Sequence, residues 1–343
     1  MSKRRLSDDF EYVRKVARDQ KESDAASQAH LVAQHYNARP EVGVEKRQQS
    51  SIIRLRSFNN WIKSVLISRH VRRNATVLDM GCGKGGDLQK WARGGIGYLV
   101  GTDIAEVSLS QMKERYDTMR NARFKAEFIP LDCYSELLAP HLAPDMRFDL
   151  VSMQFCMHYS FESEKKARTM LENVTANLAE GGWFIGTIPD ANWIIKKLRT
   201  MPKGQHEIGN HVYSIKFEDI KDTDDGNKVG FTPFGCKYWF HLTDAVDCPE
   251  YIVPFTIFQS LAEEYGLELK FKQNFHDFFV SAAHEADHNM LLKRMKVVGG
   301  YDPGLSEEEW EAARVYLAFA FQKTKPSRQA IDGAAAEPVT ENE

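Results

Sequence analysis

A glycine-rich turn between an apolar run and a helical pattern places the tightest limit on how this chain can fold. The apolar run is Thr76–Met80, the turn is GCGKGG at 81–86, and the helical pattern continues to about Arg93. Such a turn needs positive φ angles, which glycine adopts without steric cost, and it exposes free N–H groups at the start of the helix. The Gly-x-Gly-x-x-Gly spacing is typical of loops that bind a nucleotide-containing cofactor, although a ligand-free turn can show the same glycines.

Short apolar runs and helical patterns continue to alternate after this turn. Strands are predicted over 98–103, 126–131, 148–155, 183–188, 267–271 and 315–321. Helices are predicted over 107–120, 167–178 and 251–265, with Gly181-Gly182 stopping the second, and a capping box opens a short helix at Ser306. Alternation of this kind predicts an α/β fold with a mostly parallel sheet and helices on both faces.

Three acidic residues lie in or directly after the predicted strands. Asp103 ends the second strand, 22 residues after Gly81, where a carboxylate accepts hydrogen bonds from ribose hydroxyls. Asp79 stands within the first strand, where an anion suits a cationic amine or sulfonium better than a pyrophosphate. Asp132 follows the third strand and is placed to accept a bond from an adenine amino group. Together they favour S-adenosylmethionine over a nicotinamide cofactor, whereas each alone is as consistent with a loop cap.

The charge of the chain is unevenly distributed. The whole sequence carries −3, but its first 73 residues hold 16 Lys and Arg against 8 Asp and Glu, a surplus of +8 that leaves −11 for the remainder. Apolar residues recur at helical spacing in this basic part, so residues 44–73 are predicted to form basic amphipathic helices. A basic segment on an acidic body suggests a polyanionic partner, and a solvated helix surface is the alternative.

Composition excludes several classes of protein and divides the chain. No run of eighteen apolar residues is present, which predicts no membrane span, and the charged N-terminus lacks the apolar core of a secretory signal. The five cysteines form no Cys-x-x-Cys pair, which argues against a zinc cluster or a disulfide framework, and no metal is expected. Residues 1–33 are predicted to be a flexible polar arm, 34–323 one domain with a small antiparallel excursion at about 203–245, and 324–343 a disordered tail.

Longer segments carry a more specific signal than the glycine turn. They are residues 35–63, VLDMGCGKGGDLQKW at 77–91, QFCMHYSFES at 154–163, FGCKYWF and DCPEY within 234–251, and EWEAARVYLAFAF at 309–321. These segments resemble the messenger RNA cap guanine-N7 methyltransferase family over about residues 34–322. The resemblance implies a Rossmann-like class I S-adenosylmethionine-dependent methyltransferase that methylates N7 of the terminal guanosine of capped nascent mRNA.

The resemblance also implies which residues form the site. Contacts to S-adenosylmethionine are implied for Lys63, Gly81, Asp103, Asp132, Gln154 and Tyr159, to which the charge argument adds Asp79. Contacts to the capped 5′ end are implied for Asn59, Lys84, Lys90, Arg115, His158, Glu250 and Tyr316. The implied partners are 5′-capped mRNA and, beyond it, other capping enzymes or the transcribing polymerase, with no membrane, and the implied localisation is the nucleus.

Methyl transfer to guanine N7 requires no proton transfer from the protein. N7 carries a lone pair and no proton, so in-line displacement at the sulfonium methyl needs no general base, and no catalytic residue is predicted. The sequence holds no convincing Ser/His/Asp or Cys/His arrangement. Holding the reacting atoms in line is expected to contribute about 7–11 kcal/mol instead. Glu250 is expected to accept hydrogen bonds from the ring N–H and the amino group of guanine. Nearby cations are expected to bind the triphosphate bridge.

Each of four acceptor-side residues also has a plain structural interpretation. Lys84 can be a solvated loop lysine, and His158 can be an interior histidine. Tyr316 can be a core aromatic, and Glu250 an acid at the start of a helix. Two other functions therefore stay open. A small-molecule methyltransferase that shares only the cofactor half predicts an apolar acceptor pocket, and a non-catalytic RNA-binding protein on the same fold is disfavoured by the intact glycine turn and its acids.

Overall fold

A computed structural model gives the fold and describes residues 31–35, 37, 49–120, 122–298 and 304–324. The strands are β1 (Thr76–Met80), β2 (Tyr98–Asp103), β3 (Lys125–Pro130), β4 (Phe148–Gln154), β5 (Leu178–Pro189), β6 (Glu207–Gly209), β7 (Tyr213–Lys216), β8 (Lys221–Asp222), β9 (Lys228–Val229), β10 (Lys237–Leu242), β11 (Val246–Tyr251), β12 (Leu267–Asn274) and β13 (Tyr316–Lys323). Most of those in the central sheet are rich in β-branched and aromatic residues, which suit a pleated and buried surface.

Seven of these strands form the central sheet, in the order β12-β13-β5-β4-β1-β2-β3. β1 lies between β2 and β4 and runs parallel to both, and β3 and β5 continue the same direction outward. β13 inserts between β5 and β12 and runs antiparallel to both. The predicted α/β fold with a mostly parallel sheet is therefore confirmed.

Helices lie on both faces of this sheet. They are α1 (Ile53–His70), α2 (Leu88–Gly94), α3 (Glu106–Asp117), α4 (Glu164–Thr175), α5 (Ala191–Arg199), α6 (Phe255–Glu264), α7 (Phe275–Ala282), α8 (Ala286–Arg294) and α9 (Glu307–Ala313), and residues 31–35 are also helical. Val77 and Leu78, neighbours in β1, belong to two different apolar clusters. Because successive strand residues point to opposite faces, this division means that the sheet is buried on both sides.

The sequence-based predictions differ most from the structure in three places. The helix predicted to stop at Gly181-Gly182 ends at Thr175, and both glycines lie inside β5, where the pairing with β4 is irregular. The helix predicted from Tyr251 begins at Phe255, because Tyr251 pairs with Lys237 in a sheet. The two helices α7 and α8 had no prediction at all. All three differences arise where long-range pairing or packing decides the local structure.

A second, antiparallel sheet is formed between α5 and α6, with the order β11-β10-β7-β6, and β8 and β9 form a separate small hairpin. It extends to Tyr251, beyond the predicted limit of about 245, and it brings Glu250 opposite Tyr238. The predicted arm over 1–33 and tail over 324–343 lie outside the described residues, apart from the helical residues 31–33 and residue 324.

The basic helix α1 is held to the domain by an aromatic cluster. The ring centroids of Phe58 and Trp310 are 5.3 Å apart, those of Trp61 and Phe279 are 5.8 Å apart, and Glu309 accepts the backbone N–H of Leu55 at 3.1 Å. This packing fixes which face of α1 is turned toward the carboxyl ends of the strands. In the part of the chain that the structure describes, no helix is long and apolar enough to cross a membrane.

Candidate active site

A cavity of about 570 Å³ opens at the carboxyl ends of β1 to β4. Open α/β sheets bind ligands at this edge, where the strand order reverses. The loops that follow these strands form most of its wall, α1 contributes Arg56 and Lys63, and the second sheet contributes Pro249 and Tyr251. All seven residues predicted to contact the cofactor line this cavity: Lys63, Asp79, Gly81, Asp103, Asp132, Gln154 and Tyr159.

The glycine turn after β1 requires its glycines for two different reasons. Gly81 has φ +68° and packs so closely on the next loop that a Cβ would lie 2.6 Å from the Sγ of Cys156. Gly83 has φ +51° with open space where a Cβ would stand, and its N–H donates to Asp103 Oδ2 at 2.7 Å. The turn therefore leaves backbone exposed to the cavity and ties β1 to the acid at the end of β2.

Asp103 and Asp132 present carboxylates at the ends of β2 and β3. Asp103 also accepts the N–H of Ala105 at 2.8 Å, and Asp132 accepts the N–H of Tyr134 at 3.0 Å. Burial raises the pKa of Asp103, while its two backbone N–H partners partly offset this. Each carboxylate oxygen has a second lone pair, so both groups can still accept bonds from a ligand.

Asp79 is the most deeply buried acid of the cavity, with 2% of the residue exposed. Its Oδ2 accepts the indole N–H of Trp91 at 3.1 Å. Burial raises its pKa to about 7, and the neighbouring charge of Asp87 adds to the effect. A carboxylate with this pKa is readily ionised by a cationic ligand, because an opposite charge nearby favours the charged form.

Two of the cations predicted on the acceptor side lie on the cavity wall. Lys84 belongs to the glycine turn, and Arg115 on α3 donates to its carbonyl oxygen at 2.8 Å. Arg56 lines the opposite side and donates to the carbonyl of Asp244. It was missed by sequence reasoning, although its spacing of seven residues from Lys63 on a helix puts both on one face.

The loop after β4 separates the cavity from a buried polar pair. The side-chain oxygen of Gln154 accepts a hydrogen bond from the hydroxyl of Thr187 at 3.2 Å. Phe155 adopts φ +60°, a conformation that is strained for a bulky residue. Tyr159 places its hydroxyl 3.4 Å from the Sγ of Cys248. Phe155 was not predicted, because nothing in its sequence neighbourhood signals a positive φ angle.

His158 and Glu250 form that buried pair, directly behind the wall. His158 Nε2 lies 3.3 Å from Glu250 Oε1, and Glu250 Oε2 accepts the hydroxyl of Tyr238 at 2.7 Å. The Nε2 contact is within ion-pair distance but does not have hydrogen-bond geometry, and the buried Nδ1 of His158 has no hydrogen-bond partner among the described residues. An interior histidine is normally hydrogen-bonded, so this one is unlike a packing residue, and Glu250 lies in β11 and not at the start of a helix.

Five of the predicted acceptor-side residues do not line the cavity: Asn59, Lys90, His158, Glu250 and Tyr316. Tyr316, the first residue of β13, packs against the lining residue Phe155 with ring centroids 4.9 Å apart. Asn59 has a buried Oδ1 without a hydrogen-bond partner among the described residues. Lys90 is buried, with its ammonium 2.7 Å from the lining residue Asp87, and does not itself line the cavity.

Cysteines contribute three side chains to the wall but no reactive group. Burial raises the pKa of Cys133 to about 12 and raises the pKa values of Cys82 and Cys156 as well, so all three stay protonated near neutral pH. A thiol in this state is a poor nucleophile. Within the described ranges, no group of three or more His, Cys, Asp or Glu side chains could hold a metal ion.

The sheet, the glycine turn and the acids at the ends of β1, β2 and β3 together define a class I S-adenosylmethionine-dependent methyltransferase. A solved methyltransferase of this kind from Clostridium acetobutylicum, 14% identical, matches with a TM-score of 0.45 and covers 78% of this chain and 92% of that one, a likeness too distant to add to the strand order. The model of the mRNA (guanine-N(7))-methyltransferase domain matches residues 18–324. The chain belongs to the mRNA (guanine-N(7))-methyltransferase family.

Curated relatives agree with this membership. The mRNA cap guanine-N(7) methyltransferase of Schizosaccharomyces pombe is 47% identical over 85% of this chain and 82% of that protein. The enzymes named mRNA cap guanine-N(7) methyltransferase 1 in Oryza sativa and Arabidopsis thaliana are 45% and 46% identical, over 91% and 89% of this chain and 86% and 83% of theirs. The family predicted from the sequence motifs is confirmed.

Proposed function

We propose that this chain transfers a methyl group from S-adenosylmethionine to N7 of the terminal guanosine of capped mRNA. The observation that carries the proposal is one cavity lined by the carboxylates of Asp79, Asp103 and Asp132, in or just after three successive strands, with a buried histidine–glutamate pair next to its lining residues. The carboxylates suit a cation, and the pair suits a base that offers two hydrogen-bond donors. A small-molecule methyltransferase that shares only the cofactor half requires an apolar acceptor pocket. The polar side chains of Glu250 and His158 do not suit such a pocket.

The cofactor is assigned to the glycine-turn end of the cavity. Asp79 faces the amine or sulfonium, Asp103 the ribose hydroxyls and Asp132 the adenine amino group. The remaining contacts are assigned to Lys63 at the carboxylate and to backbone or side-chain groups of Gly81, Gln154 and Tyr159. These residues fit the molecule, because the acids suit its cationic and hydrogen-bond-donating groups and the Lys63 ammonium suits its carboxylate. When bound, S-adenosylmethionine supplies an electrophilic methyl group.

The capped end is assigned to the wall formed by the second sheet and the loop after β4. Glu250 accepts the ring N–H and the amino group of guanine, a bidentate contact that discriminates by about 1–3 kcal/mol. His158 hydrogen-bonds the base, and Tyr316 and Asn59 complete its surroundings. Lys84 and Arg115 attract the triphosphate bridge, since cations on a cavity wall concentrate phosphate there. Entry of the base requires the loop carrying Phe155 and Tyr159 to shift.

Catalysis is assigned to positioning alone. Guanine N7 has no proton to remove, and the nearby thiols are held protonated by burial. Orientation of bound reactants contributes about 7–11 kcal/mol in well-ordered sites. A substrate of this kind arises on nascent transcripts, so we place the enzyme in the nucleus, with other capping enzymes or the transcribing polymerase as its partners.

The test uses the full chain, methyl-labelled S-adenosylmethionine and RNA that carries an unmethylated guanosine cap. Digestion to nucleosides is expected to put the label in 7-methylguanosine, and the same RNA with a plain 5′ triphosphate is expected to stay unlabelled. Label on a ribose hydroxyl contradicts the proposal. Tight binding of capped RNA with no transfer identifies a non-catalytic binding protein, and cofactor turnover on small acceptors alone identifies the small-molecule enzyme.

A further inference from the structure

Three charged side chains are in direct contact beneath the glycine turn. Asp87 precedes α2, and its carboxylate oxygens lie 2.8 Å and 2.9 Å from Lys63 Nζ. One of the same oxygens lies 2.7 Å from Lys90 Nζ. Asp87 occupies the N-cap position of α2 but makes no capping hydrogen bond with its side chain. Its carboxylate is therefore committed to the two ammonium groups.

Only one of the two lysines reaches the cavity. Lys63 lines the wall with 16% of its side chain exposed, whereas Lys90 does not line it and has 5% exposed. The Lys90 ammonium also donates to the Asn60 side-chain oxygen and to the carbonyl of Gly86 at 3.2 Å. Contact with a ligand would require the buried Lys90 ammonium to leave Asp87, Asn60 and Gly86, and an unpaired buried charge is strongly destabilising.

The electrostatics of the cluster depend on both lysines. Burial opposes ionisation of Asp87, but the ammonium groups of Lys63 and Lys90 outweigh it and lower its pKa. Burial also lowers the pKa of Lys90, and Asp87 partly offsets that. Without Lys90, the carboxylate of Asp87, which itself lines the cavity, would have Lys63 as its one close cationic partner and would hold that ammonium more tightly, at the expense of a ligand carboxylate.

We propose that Lys90, itself held by Asn60, is a positioning residue for the cofactor: it holds Asp87, and Asp87 holds the Lys63 ammonium at the cavity wall, where it faces the carboxylate of S-adenosylmethionine. The proposal rests on the proposed cofactor site and deepens it. It moves Lys90 from the capped RNA, where the family resemblance puts it, to the cofactor. Lys63 touches the ligand, and Lys90 acts through it.

The first measurement is calorimetric titration of S-adenosylmethionine into the full chain without RNA. Lys90→Met is expected to weaken binding by about tenfold, the scale of a lost hydrogen bond to a charged group, and Lys90→Arg, which keeps the charge, to recover part of the loss. Lys113→Met is the matched control, because Lys113 on α3 is exposed and pairs with Asp117 outside the cavity. Cofactor affinity equal to wild type in a folded Lys90→Met protein overturns the proposal.

A double-mutant cycle separates positioning from general support of the fold. In the Lys63→Ala background, Lys90→Met is expected to cause no further loss of affinity, because its effect passes through Lys63. Equal losses in both backgrounds would mean that Lys90 acts independently, and the proposal fails. The KM for capped RNA is expected to stay near the wild-type value, and a rise there with unchanged cofactor affinity returns Lys90 to the RNA site. Failure of the methylation test leaves these titrations interpretable, since they contain no RNA.

Discussion

The cofactor half and the acceptor half of the cavity are built in different ways. In the cofactor half, Asp79, Asp103 and Asp132 sit in or just after three strands that follow one another along the chain, and all three line the cavity. In the acceptor half, Glu250 comes from the second sheet and Tyr316 from the antiparallel β13, and both are buried behind the wall.

This difference has a consequence for how the two halves respond to substitution. The groups of the cofactor half are oriented by backbone N–H groups close in sequence, such as those of Gly83 and Ala105 around Asp103. Those of the acceptor half are oriented by side chains far apart in the chain, such as Tyr238 and His158 around Glu250. We therefore expect substitutions at Glu250 to leave cofactor binding intact.

The largest effect is expected for Glu250→Gln. The amide keeps the shape and can accept one bond, but it cannot accept both donors of guanine, so kcat/KM for capped RNA should fall about 10–100-fold. Affinity for S-adenosylmethionine, measured by calorimetry without RNA, should stay unchanged. A parallel loss of cofactor affinity would mean that the two halves are coupled and that Glu250 supports the whole site.

A smaller effect is expected at the rim, where both halves contribute. Lys84→Glu and Arg115→Glu should each raise the KM for capped RNA by about tenfold. Each should also reduce the slope of log KM against log salt concentration by about 0.7, the value for one phosphate contact in a single-stranded ligand. Lys113→Glu on the same helix as Arg115 is the control, since its side chain is 61% exposed outside the cavity. An unchanged salt slope in both rim variants would remove them from the phosphate path.

Sequence patterns predicted the cofactor half well because its elements are local. β1 and β2 match the predicted spans, and β3 and β4 differ by one residue. For β1, β2 and β4 the reason is that a buried parallel strand is a mostly apolar run. The acceptor half is harder, because a helix start was one interpretation of Glu250, whereas pairing with Tyr238 makes it a strand residue. No local pattern indicates that Phe155 is strained or that Lys90 turns inward, since tertiary packing decides both.

For Asp79→Asn the effect to measure is on stability, and not on RNA methylation, and it tests the cofactor half. Between pH 4 and 7 the folded protein keeps a proton on Asp79, whose pKa is raised to about 7, while the unfolded chain releases it. The contribution of Asp79 to the free energy of unfolding is therefore fully present at low pH and falls as pH rises through that interval. Asp79→Asn removes this dependence, so it should stabilise the ligand-free protein by about 4 kcal/mol at pH 8, because the pKa is raised from 3.8 to about 7, and should have little effect near pH 4. Urea unfolding at both pH values measures the difference.

Asp103→Asn is the contrasting variant. An amide cannot accept hydrogen bonds from both N–H groups that Asp103 binds, so this substitution should destabilise the protein. A stability gain for Asp79→Asn that is the same at both pH values would show that Asp79 is already ionised without a ligand. Weaker binding of S-adenosylmethionine by the stabilised Asp79→Asn variant would show that the buried acid is kept for the cation.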